Sequence, residues 1–227
     1  MHLLKKIPCA QVELCWDCEL QGGAEMRARQ LRGALAEAFA DDDLFHQHDP
    51  ASGKPLYRYP FVQYRWRAGQ GLVVGWGEAA GRLLAMPWLD LELQLGSESV
   101  MVSDAALTLR HEPFGVSERL LRYRLMTPAL LLKSEIFRRY QSMDEAGQRV
   151  ERDRLLVANL LSALRGLNVE FQERLYAAFS RMRTQPCHYK GQDLLGISGE
   201  FFSNAILPDG LAFGHAVSHG FGWLTVG

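Results

Sequence analysis

Two histidines, His46 and His48, stand two apart in the stretch LFHQHDPASGKPLYRYPFVQYR, residues 44–65. An unperturbed histidine titrates near pH ~6.5, so acid and base forms coexist around neutrality and two imidazoles facing one ligand can take up and return protons. If the loop is extended, both side chains reach the same ligand. Two plainer readings compete: the pair is a set of solvent-exposed loop residues leading into a strand, or it joins Asp49 in holding a metal, since imidazole and carboxylate are ordinary ligands. Downstream, Tyr57, Arg58 and Tyr59 are candidates for orienting a phosphate, because a tyrosine hydroxyl donates and a guanidinium grips phosphate in a bidentate fork. Packing at a strand start is the competing role for one of the tyrosines.

The elements that must carry these groups follow from the hydrophobic spacing. In QVELCWDCEL (11–20), Val12, Leu14, Trp16, Cys18 and Leu20 alternate with polar residues, which predicts a half-buried strand. Residues three apart on a strand point to opposite faces, so Cys15 and Cys18 read as reduced structural cysteines rather than a zinc pair. A glycine turn then opens an amphipathic helix with Ala28, Leu31, Leu35 and Phe39 on one face, and Asp41–Asp43 fall in the loop beyond it. PFVQYRWRAG and GLVVGWG form a hairpin, EAAGRLLAM a short helix stopped by Pro87, and WLDLELQLG another strand. Gln63, Tyr64 and Arg65 alternate with apolar neighbours, so one face of their strand is expected to meet a ligand and the other the core. Trp66 and Trp76 fill the core or stack on bases. The order strand, helix, strand, strand, helix, strand is that of a ferredoxin-like sandwich.

Residues 97–117 read as a connection. Beyond it come an apolar strand in RLLRYRLMTPALLL, SEIFRRYQ, and a strong helix around 149–166 whose stripe is Leu156, Leu160, Leu164 and Leu167, with Arg154 and Arg165 opposite. EFQERLYAAFSRMR fits either a helix or a strand, and a second ferredoxin-like unit favours the strand. LLGISGEFFSNAILPDG is a further strand and its exit. The expectation is therefore an α+β chain of two tandem ferredoxin-like (RRM-like) units with antiparallel sheets, 1–109 carrying the histidine loop and 110–227 carrying a glycine-rich tail. In that tail, Gly214, Gly220 and Gly222 permit backbone conformations and close approaches that other residues avoid.

Composition narrows the partners. The 227-residue chain is 48% hydrophobic and 22% charged, and its net charge of −1 argues against wholesale nucleic-acid binding. The charge is divided: residues 1–109 hold 10 Lys/Arg and 14 Asp/Glu, a net of −4, and residues 110–227 hold 15 and 12, a net of +3. An anion would draw on the second half. No apolar run approaches the ~20 residues of a membrane span, and the first residues lack the apolar core of a secretory signal, so a cytoplasmic protein without membrane partners is expected.

Several stretches together resemble one family, the CRISPR-associated endoribonucleases of the RAMP superfamily that process precursor CRISPR RNA. They are LFHQH, YRYPFVQYR and GLVVGWGEAAGRLL in the first half, then YRLMTPALLL, DRLLVANLLSALRGL and GEFFSNAILPDGLAFGHAVSHGFG in the second. The resemblance implies metal-independent cleavage of CRISPR repeat RNA, with His48 as principal general acid/base, His46 as its partner and Tyr59 in the catalytic set. It implies RNA contacts from Arg58, Arg65, Gly214, His215, Ser218, Gly220 and Gly222, and no cofactor. His215 stands where relatives commonly carry a lysine. CRISPR effector-complex subunits and a homodimer remain open as further partners. The alternatives are a non-catalytic guide-RNA-binding subunit on the same fold and a metal-dependent hydrolase.

Overall fold

The computed structural model describes residues 4–45, 59–132 and 134–227. The chain divides into two compact units, Ile7–Glu112 with Ser218–Gly220, and Pro113–Val217 with Phe221–Gly227 and the first six residues.

In the first unit, β1 (Lys5–Trp16) is followed by α1 (Ala24–Ala38), the hairpin β2 (Val62–Arg67) and β3 (Gln70–Trp76), α2 (Glu78–Leu84), β4 (Glu92–Leu95) and the start of β5 (Glu98–Leu125). The alternation that predicts β1 is its burial pattern: Val12 and Leu14 are sealed in the core, and Gln11 and Glu13 are not. The β2–β3 hairpin turns at Ala68–Gly69, both at positive φ, as its right-handed twist requires. Leu31 and Leu35 of α1 and Leu83 of α2 bring the helices onto the sheet beside Val12, Leu14 and Val73. α1 ends at Ala38, so Asp42 and Asp43 do lie in the loop, where Arg82 of α2 pairs with both and reaches Asp43 at 2.7 Å.

The sheet order is β2-β3-β1-β5, with β4 paired to β5. This corrects the expectation for residues 97–117, which are not a connection. β5 is one strand of 28 residues, and it, rather than β4, takes the fourth place of the ferredoxin-like sheet beside β1. β4 is the outer arm of a tight hairpin that turns at Gly96, where φ is +70°.

The second unit begins with the remainder of β5 and continues through β6 (Ala129–Leu130), α3 (Ser134–Gln141), α4 (Glu145–Gly166), β7 (Ala177–Tyr189), β8 (Gln192–Ile206) and β9 (Leu224–Val226). Here β9 pairs with β5, β5 with β8, and β8 with β7, the strand order of a second ferredoxin-like sheet. Between β8 and β9, the described chain holds only a 3-10 turn at Val217–His219 where that fold ordinarily has its second helix. The ambiguous segment is resolved as β7 from Ala177 onward, with no helix in it. α4 is capped by Asp144, whose side chain accepts from Gly147 N at 2.8 Å, and Leu156, Leu160, Leu164 and Leu167 are buried as the stripe requires. Tyr123 stacks on Phe201 at 5.4 Å, and its hydroxyl donates to Ala205 O at 2.7 Å while accepting from Leu207 N at 3.0 Å. No described helix is long and apolar enough to cross a membrane.

Candidate active site

His46, His48, Tyr57 and Arg58 lie outside the described residues, as does Asp49, and the description resumes on either side at Phe45 and Tyr59. On the entry side, Leu44 N donates to Asp42 Oδ1 at 2.8 Å. Phe45 is buried, stacks on Phe39 at 5.0 Å and meets Trp88 edge-on at 6.4 Å. On the exit side stands half-buried Tyr59, whose hydroxyl accepts a hydrogen bond from Gln63 Nε2 at 2.9 Å. Aromatic packing thus holds Phe45, and a polar contact engages Tyr59.

β2 departs from its expected alternation. Arg65, expected above as an RNA contact, is 2% exposed, and Gln63, two residues before it on the same face, is 0% exposed. Both faces of this strand are covered, and an RNA contact by Arg65 has to be replaced by a buried role. Its guanidinium donates to Gln63 Oε1 at 3.2 Å. Burial pulls its pKa down to about 10, partly countered by Tyr59 and Cys9, so it stays cationic at neutral pH. Nearby, burial pushes the Cys9 thiol up to about 12, which leaves that cysteine neutral and unreactive. Trp66 stacks on Trp16 at 5.5 Å and Trp76 is wholly buried, so both belong to the core rather than to a base-stacking platform.

Beside β2 lies a cavity of about 60 Å³ lined by Arg32, Phe45, Phe61, Tyr64, Arg82 and Ser218 among others. Ser218 is 7% exposed and reaches this wall from the C-terminal tail. Among the described residues, Tyr64 Oη is buried without a hydrogen-bond partner, and burial drives its pKa upward. Tyr64 and Arg32 were not singled out as site residues from sequence. Arg32 follows the apolar Leu31 by one position, an ordinary place for a solvated helix residue, and carried no signal.

The tail glycines all have positive φ, as their residue type promises, but the space a side chain would take is already filled by protein. A Cβ on Gly220 would lie 3.1 Å from Ala28 Cβ, one on Gly214 would lie 2.9 Å from Leu130 O, and one on Gly222 would collide with Phe213 O. The close approaches these glycines serve are therefore to the protein's own backbone and helix. His215 N donates to Leu130 O at 2.8 Å. Ser218 and Gly220 belong to the first unit together with Tyr59 and Arg65, whereas Gly214, His215 and Gly222 belong to the second. Among the described residues, no group of three or more His, Cys, Asp or Glu could hold a metal, and none of Cys9, Cys15, Cys18 and Cys187 is in a disulfide.

Comparison with known proteins decides the family. The model of the Cas6b N-terminal domain matches residues 7–113 and that of the Cas6b C-terminal domain residues 115–226. This chain belongs to the Cas6b family. A Methanocaldococcus jannaschii protein described as uncharacterised is 32% identical over 131 residues, 58% of this chain and 89% of its own. A crystal structure of Cas6b superposes with a TM-score of 0.87 at 23% identity, covering 98% of this chain and 100% of the other. A second, of the CRISPR RNA processing endoribonuclease Cas6b, superposes with a TM-score of 0.74 at 22% identity, covering 97% and 100%. At such identities the two structures establish the shared fold. The α+β architecture of two ferredoxin-like units expected from sequence is the one observed in this Cas6b-family chain.

Proposed function

We propose that this chain is an endoribonuclease that cuts CRISPR repeat RNA within precursor transcripts, without a metal, through attack by the ribose 2′-hydroxyl. The observation that carries the proposal is the Cas6b match across both units. In the reaction, a general base removes the 2′-hydroxyl proton, O2′ bonds to phosphorus, the P–O5′ bond breaks, and a general acid protonates the departing O5′. The products are a 2′,3′-cyclic phosphate and a 5′-hydroxyl. His48 serves as principal acid/base and His46 as its partner; imidazoles suit both transfers near neutrality, so the steps need no Lewis acid. Tyr59, at the exit of the histidine segment, donates to a phosphate oxygen as charge develops there. Arg58 grips the phosphate as a fork, and Ser218 and His215 contribute RNA contacts from the tail.

The test is single-turnover cleavage of the cognate repeat in excess EDTA, with a parallel RNA carrying one deoxyribose 5′ of the cut. Cleavage at one position in EDTA, lost on the deoxy substrate with binding retained, is the expected result. Cleavage that requires a divalent ion, or that survives the missing 2′-hydroxyl, overturns the mechanism. Tight binding with no cutting of the cognate repeat makes the chain a guide-RNA-holding subunit.

A further inference from the structure

The outer face of the second unit's sheet carries a charge pattern that no step of the reaction uses. Tyr123 on β5 and Phe201 on β8 point into the core, at 1% and 0% exposure. Strand alternation therefore turns Arg122, Arg124, Glu200 and Phe202 outward, with Arg122 across from Phe202 and Arg124 across from Glu200. On β7, simple alternation would send Arg181 and Arg183 inward with Phe179, but a bulge intervenes. Phe179 pairs with Phe201, and Arg181, not Ser180, pairs with Glu200. The extra residue shifts the alternation by one, so Arg181 and Arg183 join the outer face opposite Glu200 and Ser198.

Four guanidinium groups thus surround one carboxylate. Arg122 reaches Glu200 at 2.7 Å and Arg124 lies 4.0 Å from it, while Arg181 attracts it from farther away. Among the described residues, Arg183 is in no ion pair. Arg124, Arg181, Arg183, Ser198 and Glu200 line a groove of about 380 Å³. In the next row Phe202 is 37% exposed, with the small Ala178 across from it on β7, which leaves room for a flat ring beside it.

We infer that this face is a platform for an unpaired stretch of the substrate RNA, with a base stacked on Phe202 and neighbouring phosphates held by Arg124, Arg181 and Arg183. The inference takes its RNA from the endoribonuclease reading above and adds to it a binding surface rather than a reaction step. The excess of cations calls for a polyanion. The exposed ring selects a single strand, because a base must leave its own helical stack before it can lie on a side chain. Four-stranded sheets of this topology take single-stranded RNA on aromatic residues in the same manner, and β8, which carries Phe202, is a central strand of the order β9-β5-β8-β7.

The test titrates the full-length protein against a short unstructured oligouridylate, with a blunt RNA duplex of equal length for comparison, at several salt concentrations. Wild type should prefer the single strand. Phe202→Ala should weaken oligouridylate binding about tenfold or more with the salt slope unchanged, and Phe202→Trp should retain it. Arg181→Gln/Arg183→Gln should weaken binding and flatten the slope by about 1.4, at ~0.7 for each phosphate contact on a single strand. These side chains are exposed, so melting temperatures should hold. Single-turnover cleavage of the cognate repeat at saturating enzyme should stay within about threefold of wild type. Folded variants that all bind oligouridylate as wild type does overturn the inference and leave the face to an acidic protein partner. Equal binding of duplex and single strand with Phe202→Ala silent also overturns it, since the face would then be electrostatic alone. Cleavage slowed at saturation would overturn it by placing these residues in the reaction. Wild type that never cuts its cognate repeat refutes the endoribonuclease reading, while the oligouridylate titration still decides this one.

Discussion

The carbonyl oxygen of Tyr64 lies 3.2 Å from the point that a Cβ on Gly220 would occupy, and Ala28 Cβ lies 3.1 Å from the same point. Gly220 has φ +88°, so a side chain there meets backbone strain as well as crowding. Replacing it is expected to cost stability before it costs RNA affinity. Gly220→Ala should lower unfolding free energy by roughly 1–3 kcal/mol, and Gly220→Val by more, read from urea denaturation midpoints at constant slope. An unchanged midpoint with weakened RNA binding would return Gly220 to the phosphate-facing role expected from sequence.

Glu151 supplies a pH-dependent term in the second unit. Arg154 meets it with two hydrogen bonds of 2.7 Å and Arg139 with one of 2.9 Å, and these hold its carboxyl down to about 2. A carboxylate lowered in the folded state stabilises above its unfolded pKa of about 4.3 and loses that contribution as pH falls towards the folded value. Both arginines are more than half exposed, so solvent screening limits the pair to about 1–2 kcal/mol. Wild type should therefore exceed Glu151→Gln in stability at pH 7 and converge on it between pH 5 and pH 2. A gap that is constant across that range would show that the ion pairs contribute nothing.

Regular periodicity explains why much of the fold was legible. β1, α1 and α4 each bury one face of a repeating pattern, and the β2–β3 turn carries its own glycine signal. β5 was missed because residues 106–111 are exposed throughout, so no alternation marks them as strand, and Pro113 interrupts the run. The burial of Gln63 and Arg65 was hidden for a different reason. Alternating polar residues announce a water-facing side only when nothing distant in sequence covers it, and the polar chain from Tyr59 to Arg65 is satisfied internally. The glycines showed where positive φ was needed but not what occupies the space beside them. Of the candidate site, residue types were readable, and which of its polar side chains are buried was not.

The last prediction separates proton transfer from RNA holding. If His48 moves a proton in the rate-limiting step, His48→Ala should slow single-turnover cleavage by about 10²–10⁴-fold, the usual worth of a general acid or base. His46→Ala should cost less if it assists or orients. RNA affinity should change little in either variant, because the lost interaction belongs to the transition state and phosphate contacts elsewhere hold the substrate. With saturating enzyme, the wild-type rate should titrate in the histidine range near pH ~6.5, and the His48→Ala profile should lose or shift that step. Both variants are expected to keep the wild-type melting temperature, which separates a loss of chemistry from a loss of fold. A folded His46→Ala/His48→Ala protein that binds the repeat and cuts it at the wild-type rate would reduce both histidines to polar loop residues. The proton transfers would then have to be sought elsewhere in the chain.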